Sequence, residues 1–294
     1  MSAYTTQELT GVPGLAGMYL RAVLPKKGAP CELPDRRLVL RGRTVREKHL
    51  AEYAGVCGFQ EHAVLPATYP HMVAFGPSMA LMTAADFPFP LLGLVHVANT
   101  VEQLRPIRPG ETLTYQVWAQ DLRPHPKGRV FDIRAEADDG TATVWRSTST
   151  YLRRGRSEEE AGGFGRTEPP ATSFEDAGLT REWHVPGSVG RRYASVSGDR
   201  NPIHLHPLAA KPFGFRSSIA HGMWTKARCL AALSERTERL PDAYRVEVAF
   251  RSPVLLPASV RFAATQTGED WRFGLRGASG KEREHLRGSL TALD

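Results

Sequence analysis

This chain has few cysteines and lacks several catalytic motifs, which excludes several kinds of chemistry. Its 294 residues include only three cysteines, Cys31, Cys57 and Cys229, which show no spacing for zinc or an iron–sulfur cluster. We interpret them as buried thiols of a protein in a reducing compartment. The sequence also lacks a Gly-rich phosphate loop and a nucleophile-elbow motif, so a nucleotide cofactor and a covalent serine mechanism have no support. The sequence therefore predicts neither a cofactor nor a metal.

Long apolar runs are also absent. No stretch approaches the length needed to span a membrane, so we expect no membrane partner. The N-terminal residues lack the basic and apolar regions of a secretory signal. We therefore expect a cytoplasmic protein.

The charge of the chain is unbalanced but dispersed. The formal net charge is +7 with a sequence pI near 9.5, while hydrophobic residues make up 41% and charged residues 23% of the chain. The basic residues form no aromatic-interleaved stripe, so we expect no nucleic-acid partner. A positive chain still suits a partner that bears phosphates or acidic groups, such as coenzyme A or an acidic carrier protein.

An internal repeat is visible in the chain. Tyr53–Gly58 matches Tyr193–Gly198 at an offset of 140 residues, and Ala74–Gly76 matches Ala220–Gly222 at an offset of 146. The offset grows because the second copy has a longer loop between the two matches. We divide the chain into a first repeat at 1–152, a linker at 153–173 that is rich in charge, Gly and Pro, and a second repeat at 174–294.

Each repeat predicts one apolar helix followed by several strands. The first helix is expected from Pro77 to about Ala85, with proline in the first turn, and the second from Gly222 to about Ser234. Alternating patterns between turn residues then predict antiparallel strands. Those strands are Leu94–Val101, Thr112–Gln120, Arg129–Glu136, Thr143–Leu152, Tyr244–Phe250, Ser259–Gln266, Trp271–Gly277 and His285–Ala292. The fold class predicted is α+β, with a curved antiparallel sheet wrapped around a central helix in each repeat.

Chemically active residues are concentrated at 193–223. There the run S-G-D-x-N-P-x-H contains Asp199 and His204, and it is followed by Gly214-Phe215 and then by Ala220-His221-Gly222-Met223. This combination resembles the signature of MaoC-like hydratases/dehydratases, the (R)-specific enoyl-CoA hydratase group. The resemblance implies a hot-dog fold, here duplicated within one chain as a double hot dog. An isolated D-x-x-x-x-H pair would be a weak signal, whereas the full string is specific.

Addition of water to an enoyl thioester needs groups that activate the water and a donor for the enolate oxygen. Asp199 and His204 can hold one water between them, and this is the role that the resemblance implies for them. Asn201 and Pro202 would rigidify the intervening turn. Gly222, at the predicted start of a helix, would donate its N–H to the oxyanion. We assign supporting roles to Asn201, Ser197 and His221, and we expect His221 to pack or support the turn rather than transfer protons.

The first repeat has lost the polar pair. Phe59 stands where the second repeat has Asp199, and Val64 stands where it has His204. Either Phe59 and Val64 line a pocket for an acyl tail, or they fill a core, because apolar linings are common to both. We assign both to substrate binding, together with Phe215 and Met223.

These residues predict a lyase of fatty acid metabolism that interconverts trans-2-enoyl and (R)-3-hydroxyacyl thioesters, with the stereochemistry implied by the resemblance alone. The substrate would be an acyl-CoA or an acyl-carrier-protein thioester, and the chain a monomer or a homodimer. Two alternatives remain open: a hot-dog acyl thioesterase, which shares the scaffold, and a non-catalytic acyl-thioester binding protein.

Overall fold

The computed structural model describes residues 4–11, 14, 17–18, 31–60, 63–155, 168–236, 240–278 and 283–294. Most of the predicted linker, residues 156–167, lies outside the described residues. In these ranges no helix has the length and apolar character needed to cross a membrane. Cys57 and Cys229 are buried as expected, but Cys31 is exposed, because it lies in an irregular segment outside the helices and strands.

The regular elements are numbered here in chain order. The strands are β1 Thr5–Glu8, β2 Arg36–Thr44, β3 Leu94–Gln103, β4 Thr112–His125, β5 Gly128–Asp138, β6 Thr143–Arg154, β7 Leu179–Val185, β8 Tyr244–Phe250, β9 Ala258–Thr267, β10 Asp270–Gly277 and β11 Glu284–Ala292. The helices are α1 Glu47–Cys57, α2 Tyr69–Thr83, α3 Val189–Ser197, α4 Pro202–Leu205, α5 Pro207–Ala210 and α6 Gly222–Ser234, with a 3₁₀ turn at Lys211–Phe213. The sequence patterns predict β3–β6, β8–β11 and α6, but not β1, β2 or β7.

Contacts divide the chain into two compact units that are not simple halves of the sequence. The first unit contains Met1–Thr44, Pro70–Asn99 and Glu111–Thr167. The second unit contains Val45–Tyr69, Thr100–Gly110 and Glu168–Asp294. The second unit therefore includes α1, which belongs to the first half of the sequence.

The first unit combines a sheet with helix α2. In the sheet β2, β4, β5 and β6 are antiparallel neighbours, and β1 is added parallel to β2. Phe131 and Tyr151 are paired across β5 and β6 and stack at a centroid distance of 5.8 Å. The rings continue through His96 of β3, which stacks 4.7 Å from Tyr151 and 6.4 Å from His71 of α2. This row of rings connects the helix to one face of the sheet.

Helix α2 begins earlier than its proline suggests. The sequence predicts a start at Pro77, but the helix runs Tyr69–Thr83 with Pro77 inside it. Burial explains the difference, because Met72, Ala74, Met79 and other residues on both sides of the proline are in the core. Packing of this kind outweighs the cost of one missing backbone hydrogen bond. Gly76, the counterpart of Gly222, is consequently inside a helix.

The second unit combines an antiparallel sheet with helix α6. The strands follow the order β8, β11, β10, β9 and β7. Helix α6 is almost completely buried, and its Lys226 Nζ donates a hydrogen bond of 3.1 Å to the Val246 carbonyl of β8. Trp224 Nε1 of α6 donates to the Val56 carbonyl of α1 at 3.0 Å. Helix α1 thus packs within the unit that also contains α3 and α6.

Candidate active site

Asp199 is placed by the end of helix α3. The helix stops at Gly198, whose positive φ of 76° suits glycine and whose N–H bonds the Ala194 carbonyl. The Asp199 N–H then donates to Ser197 Oγ at 3.2 Å, and the Asn201 N–H donates to Asp199 Oδ1 at 3.1 Å. The predicted supporting residues Ser197 and Asn201 therefore both contact Asp199, and Asn201 does so through its backbone.

His204 is placed by the short helix α4. The Asn201 side chain caps this helix by accepting from the Ile203 N–H at 3.4 Å, and Pro202 occupies its first turn. His204 Nδ1 lies 2.8 Å from the Ile219 carbonyl. Since a carbonyl only accepts, Nδ1 carries the proton and Nε2 keeps a lone pair. This tautomer leaves Nε2 available as a base.

Close packing of α3 against α4 also depends on a glycine. A Cβ added to Gly190 of α3 would lie 1.9 Å from the His204 carbonyl oxygen. A backbone atom cannot move aside as the end of a flexible side chain can, so only glycine fits here. In the first repeat the position 140 residues earlier is Leu50, which is buried. The second repeat, which contains His204, therefore has glycine at this position, whereas the first repeat has leucine.

His221 contacts both members of the pair. Its ring stacks on His204 at a centroid distance of 3.7 Å and an interplanar angle of 26°. Its Nε2–H donates to the Asp199 carbonyl at 3.0 Å, and the same nitrogen lies 3.8 Å from Asp199 Oδ2. Tyr193 of α3 closes the other side, with its ring centroid 4.9 Å away. The structure thus packs His221 between Tyr193 and His204, and its supporting role stays a prediction.

Burial keeps both imidazoles neutral. Desolvation lowers the pKa of His204, although Asp199 and the bond to the Ile219 carbonyl partly oppose this. Desolvation and the neighbouring His204 lower the pKa of His221 to about 3. Asp199 differs, because about a quarter of its side chain is exposed. The site therefore combines a partly accessible carboxyl group with a buried neutral base.

The three side chains converge. One ligand atom from each of Asp199, His204 and His221 lies within 4.8 Å of the others. Two groups that bind one water through bonds of about 2.8 Å are separated by up to roughly 5 Å, so a separation within 4.8 Å is short enough for the groups to share one water. The same three groups form a ligand set that could hold a metal ion, a possibility that the sequence did not suggest.

Gly222 begins helix α6, as predicted. The first backbone bond of the helix is from the Thr225 N–H to the His221 carbonyl, at 3.1 Å, so the preceding N–H groups have no partner inside the helix. A Cβ at Gly222 would lie 3.1 Å from the Phe250 ring. The glycine therefore has a packing reason in addition to the predicted approach of substrate.

Helix α1 supports the site from outside the motif. His49 Nε2–H donates to the Val196 carbonyl of α3 at 2.9 Å, and the Tyr69 hydroxyl donates to His49 Nδ1 at 2.7 Å. Val196 precedes Asp199 by three residues. The Tyr53 and Tyr193 rings, which the repeat aligns, lie 6.3 Å apart. That alignment was the available signal for the contact between α1 and α3, whereas nothing in the sequence singled out His49.

The predicted substrate-binding residues occupy varied surroundings. Phe59 is half-buried and stacks on Tyr53 at 6.4 Å, whereas Val64 is 39% exposed. Phe215 is half-buried and Met223 is buried directly after Gly222. The exposure of Val64 argues against a core-filling role for that residue, and a role in substrate binding stays a prediction for all four.

Comparison with known proteins identifies a family model and a relative that covers nearly the whole chain. The model of the "MaoC like domain" family matches residues 179–284. The chain is 35% identical over 291 residues to 3-hydroxyacyl-thioester dehydratase X of Mycobacterium tuberculosis, covering 97% of this chain and 100% of the relative. The family model thus matches the repeat that contains Asp199 and His204, and the relative matches both repeats.

Solved structures also resemble this chain over most of its length. The crystal structure of HtdX of Mycobacterium tuberculosis has a TM-score of 0.74 at 33% identity, covering 88% of this chain and 100% of that one. A MaoC-like dehydratase from Phytophthora capsici has a TM-score of 0.74 at 20% identity, covering 91% and 96% of the two chains. The predicted α+β double hot-dog fold is confirmed.

Proposed function

The chain belongs to the MaoC-like dehydratase family, and from this membership we propose how Asp199, His204 and Gly222 carry out its reaction. The protein is a hydratase/dehydratase. Removal of water from a 3-hydroxyacyl thioester gives a 2-enoyl thioester, and hydration is the reverse. The observation that supports our assignment of residues is that ligand atoms of Asp199 and His204 converge to within 4.8 Å of each other.

In the hydration direction, Asp199 and His204 Nε2 orient this water toward C3 of the enoyl group. The water loses a proton to the pair as its oxygen bonds to C3, and the electrons of the double bond move to the thioester oxygen. The pair then returns the proton to C2, so that one water supplies both the hydroxyl group and the hydrogen. The fixed Nδ1–H bond of His204 to the Ile219 carbonyl keeps Nε2 ready to accept.

The developing negative charge on the thioester oxygen needs a donor. The Gly222 N–H fits this role because it lies at the first position of α6, where the helix dipole also favours negative charge. The counterpart Gly76 of the first repeat cannot be an equivalent donor, since it is inside α2 and its N–H faces the preceding turn. Among the described residues, the positions of the first repeat that match Asp199, His204 and Gly222 therefore provide neither the polar pair nor the oxyanion donor.

The finer features of the reaction are part of the proposal. We propose (R) stereochemistry at C3, an acyl-CoA or acyl-carrier-protein thioester as substrate, and a cytoplasmic chain that acts as a monomer or a homodimer. We also propose that the sequence is organised as repeats at 1–152 and 174–294, of which the second contains the reacting groups. Phe59, Val64, Phe215 and Met223 are proposed to contact the acyl chain.

The reaction can be tested by following the loss of enoyl absorbance when the protein meets crotonyl-CoA and a longer trans-2-enoyl-CoA. Loss of absorbance without thiol release supports hydration, and chiral analysis of the product reports the stereochemistry. Asp199→Asn should fold normally and lower turnover by about 100-fold or more, as expected for loss of a general base. Near-normal turnover of this variant would reject the assignment of Asp199, and thiol release would indicate a thioesterase.

The role of the first repeat in chain-length preference has its own test. Phe59→Ala should shift the ratio of kcat/KM between long and short enoyl-CoA substrates, because it enlarges the space proposed for the acyl tail. Phe87→Ala is the matched control, since Phe87 is fully buried within the first unit. An unchanged ratio together with lower thermal stability in both variants would show that Phe59 only fills a core.

A further inference from the structure

The second unit contains the large apolar side chains that the described residues leave exposed. In the described part of the chain, the exposed large hydrophobic residues are Val64, Leu208 and Phe213. Two of these, Leu208 and Phe213, lie in α5 and in the 3₁₀ turn that follows it, and Leu208 is 64% exposed. One exposed leucine is ordinary, but two large apolar side chains exposed within six residues and flanked by cations are typical of an interaction site.

This segment is specific to the repeat that contains the active site. The offset between repeats rises from 140 before Gly198 to 146 at Gly222, so the second repeat has six extra residues in this interval. The segment starts three residues after His204 and ends before His221. Its surface is therefore attached directly to the elements that position the reacting groups.

The surroundings of this segment are strongly basic. Between Glu182 and Glu235 the sequence contains a single acidic residue, Asp199, which belongs to the site. Five cations in the same interval are exposed: Arg191, Arg192, Arg200, Lys211 and Arg216. Arg191 also donates to the Leu205 carbonyl at 3.2 Å, which joins the start of α3 to the end of α4, two residues before the segment. We call Leu208, Phe213 and these five cations the basic surface.

We propose that the basic surface docks an acidic carrier protein, which delivers the acyl group to Asp199 and His204 as a phosphopantetheine thioester. This inference rests on the proposed function and selects one of its two substrate classes. Protein interfaces combine an apolar centre with a polar rim, and opposite charges steer the partners together. The phosphates of coenzyme A could bind to the cations, but they would make no contact that needs the apolar side chains of Leu208 and Phe213.

The test compares one trans-2-enoyl chain presented on an acyl-carrier protein and on coenzyme A. Lys211→Glu/Arg216→Glu and Leu208→Ser/Phe213→Ser should each lower kcat/KM for the carrier-bound substrate about tenfold or more, because association depends on complementary charge and an apolar centre. For the coenzyme A substrate, kcat/KM should change by less than about twofold, because the reacting groups are not altered. The carrier reaction should also slow as salt rises.

The matched control is Lys127→Glu/Arg272→Glu, which makes the same change in net charge at exposed cations outside residues 183–234. This control variant should leave kcat/KM unchanged for both substrates. Equal losses of kcat/KM for both substrates would overturn docking and indicate that the cations bind the phosphates of coenzyme A. Unchanged kcat/KM values in both variants would show that the basic surface has no part in substrate recognition. Absence of hydration by the wild-type chain on either substrate would instead reject the proposed function, and docking with it.

Discussion

At the scale of single residues, the site depends on groups that do not react. His221 lies against the His204 ring and holds the Asp199 carbonyl, while Gly190 makes room for the His204 backbone. The reacting pair thus rests on contacts from α3, α4 and the residue before α6. Displacements of about 1 Å in such pairs can lower turnover by roughly 100-fold, so these residues matter for rate as well as for folding.

Gly190→Ala tests the packing of α3 on His204. Because the new Cβ would meet the His204 carbonyl, we expect α4 to shift and kcat to fall by about 10- to 100-fold, with KM changed much less. Gly55→Ala is the control, since Gly55 is exposed on α1 and a Cβ there meets nothing within 4 Å. Steady-state kinetics should compare kcat and KM of both variants with those of the wild type. A Gly190→Ala enzyme with normal kcat would show that the site tolerates the shift.

His221 should make the protein sensitive to acid. Its pKa is about 3 in the folded chain, whereas an unfolded histidine titrates near 6.5. Between those values the unfolded state binds the proton and the folded state does not, so stability decreases as pH falls, by up to about 1.4 kcal/mol per pH unit. Urea unfolding of His221→Phe from pH 7 to 4 should show a shallower decrease. The exposed His184→Phe should keep the wild-type slope.

At the scale of elements, the two central helices differ in ways that explain their different roles. Helix α6 begins at Gly222 and offers unused N–H groups there, whereas α2 begins at Tyr69 and encloses Gly76. Helix α6 also contains Lys226, which is fully buried and whose position corresponds to Ala80 in the first repeat. Burial lowers the pKa of Lys226 well below its usual value, partly opposed by Glu247.

Lys226→Met should therefore stabilise the second unit. The folded chain disfavours the charged lysine and the unfolded chain does not, so the wild-type gains stability as pH rises toward 10.5, by up to about 1.4 kcal/mol per unit. Methionine has a similar shape without this cost, although the bond to Val246 is lost. Thermal melts at pH 7 and 10 should show a larger gain at pH 7. Lys48→Met on the surface of α1 should show none, and destabilisation by Lys226→Met at pH 7 would contradict the argument.

At the scale of the whole molecule, the proposed function assigns one set of reacting groups to a chain with two repeats. The proposed function places all turnover in the second repeat. Asp199→Asn should accordingly lower activity by about 100-fold or more rather than halve it, and a tight-binding product analogue should titrate the protein at one equivalent per chain by calorimetry. Residual activity near half of the wild-type value would mean that the first repeat also reacts.

The sequence determined the fold class, because the fold class depends on local patterns, and it predicted a site from a pattern of the same kind. Alternation predicted β3–β6 and β8–β11, the start of α6 followed from the residues around Gly222, and the S-G-D-x-N-P-x-H run grouped Asp199 and His204 in one loop. These features are short-range, so residue order is enough to recognise them. The start of α2 was predicted incorrectly because a proline signal was weaker than burial.

Only the tertiary structure decided what surrounds the reacting pair. Contacts of His49 with Val196 and of Gly190 with His204 join residues that are 147 and 14 positions apart, and no periodicity encodes such pairs. The pKa shifts of His221 and Lys226 likewise arise from desolvation, which exists only once the chain has closed over them. Residue order thus predicts which groups react, and packing decides their protonation and their orientation.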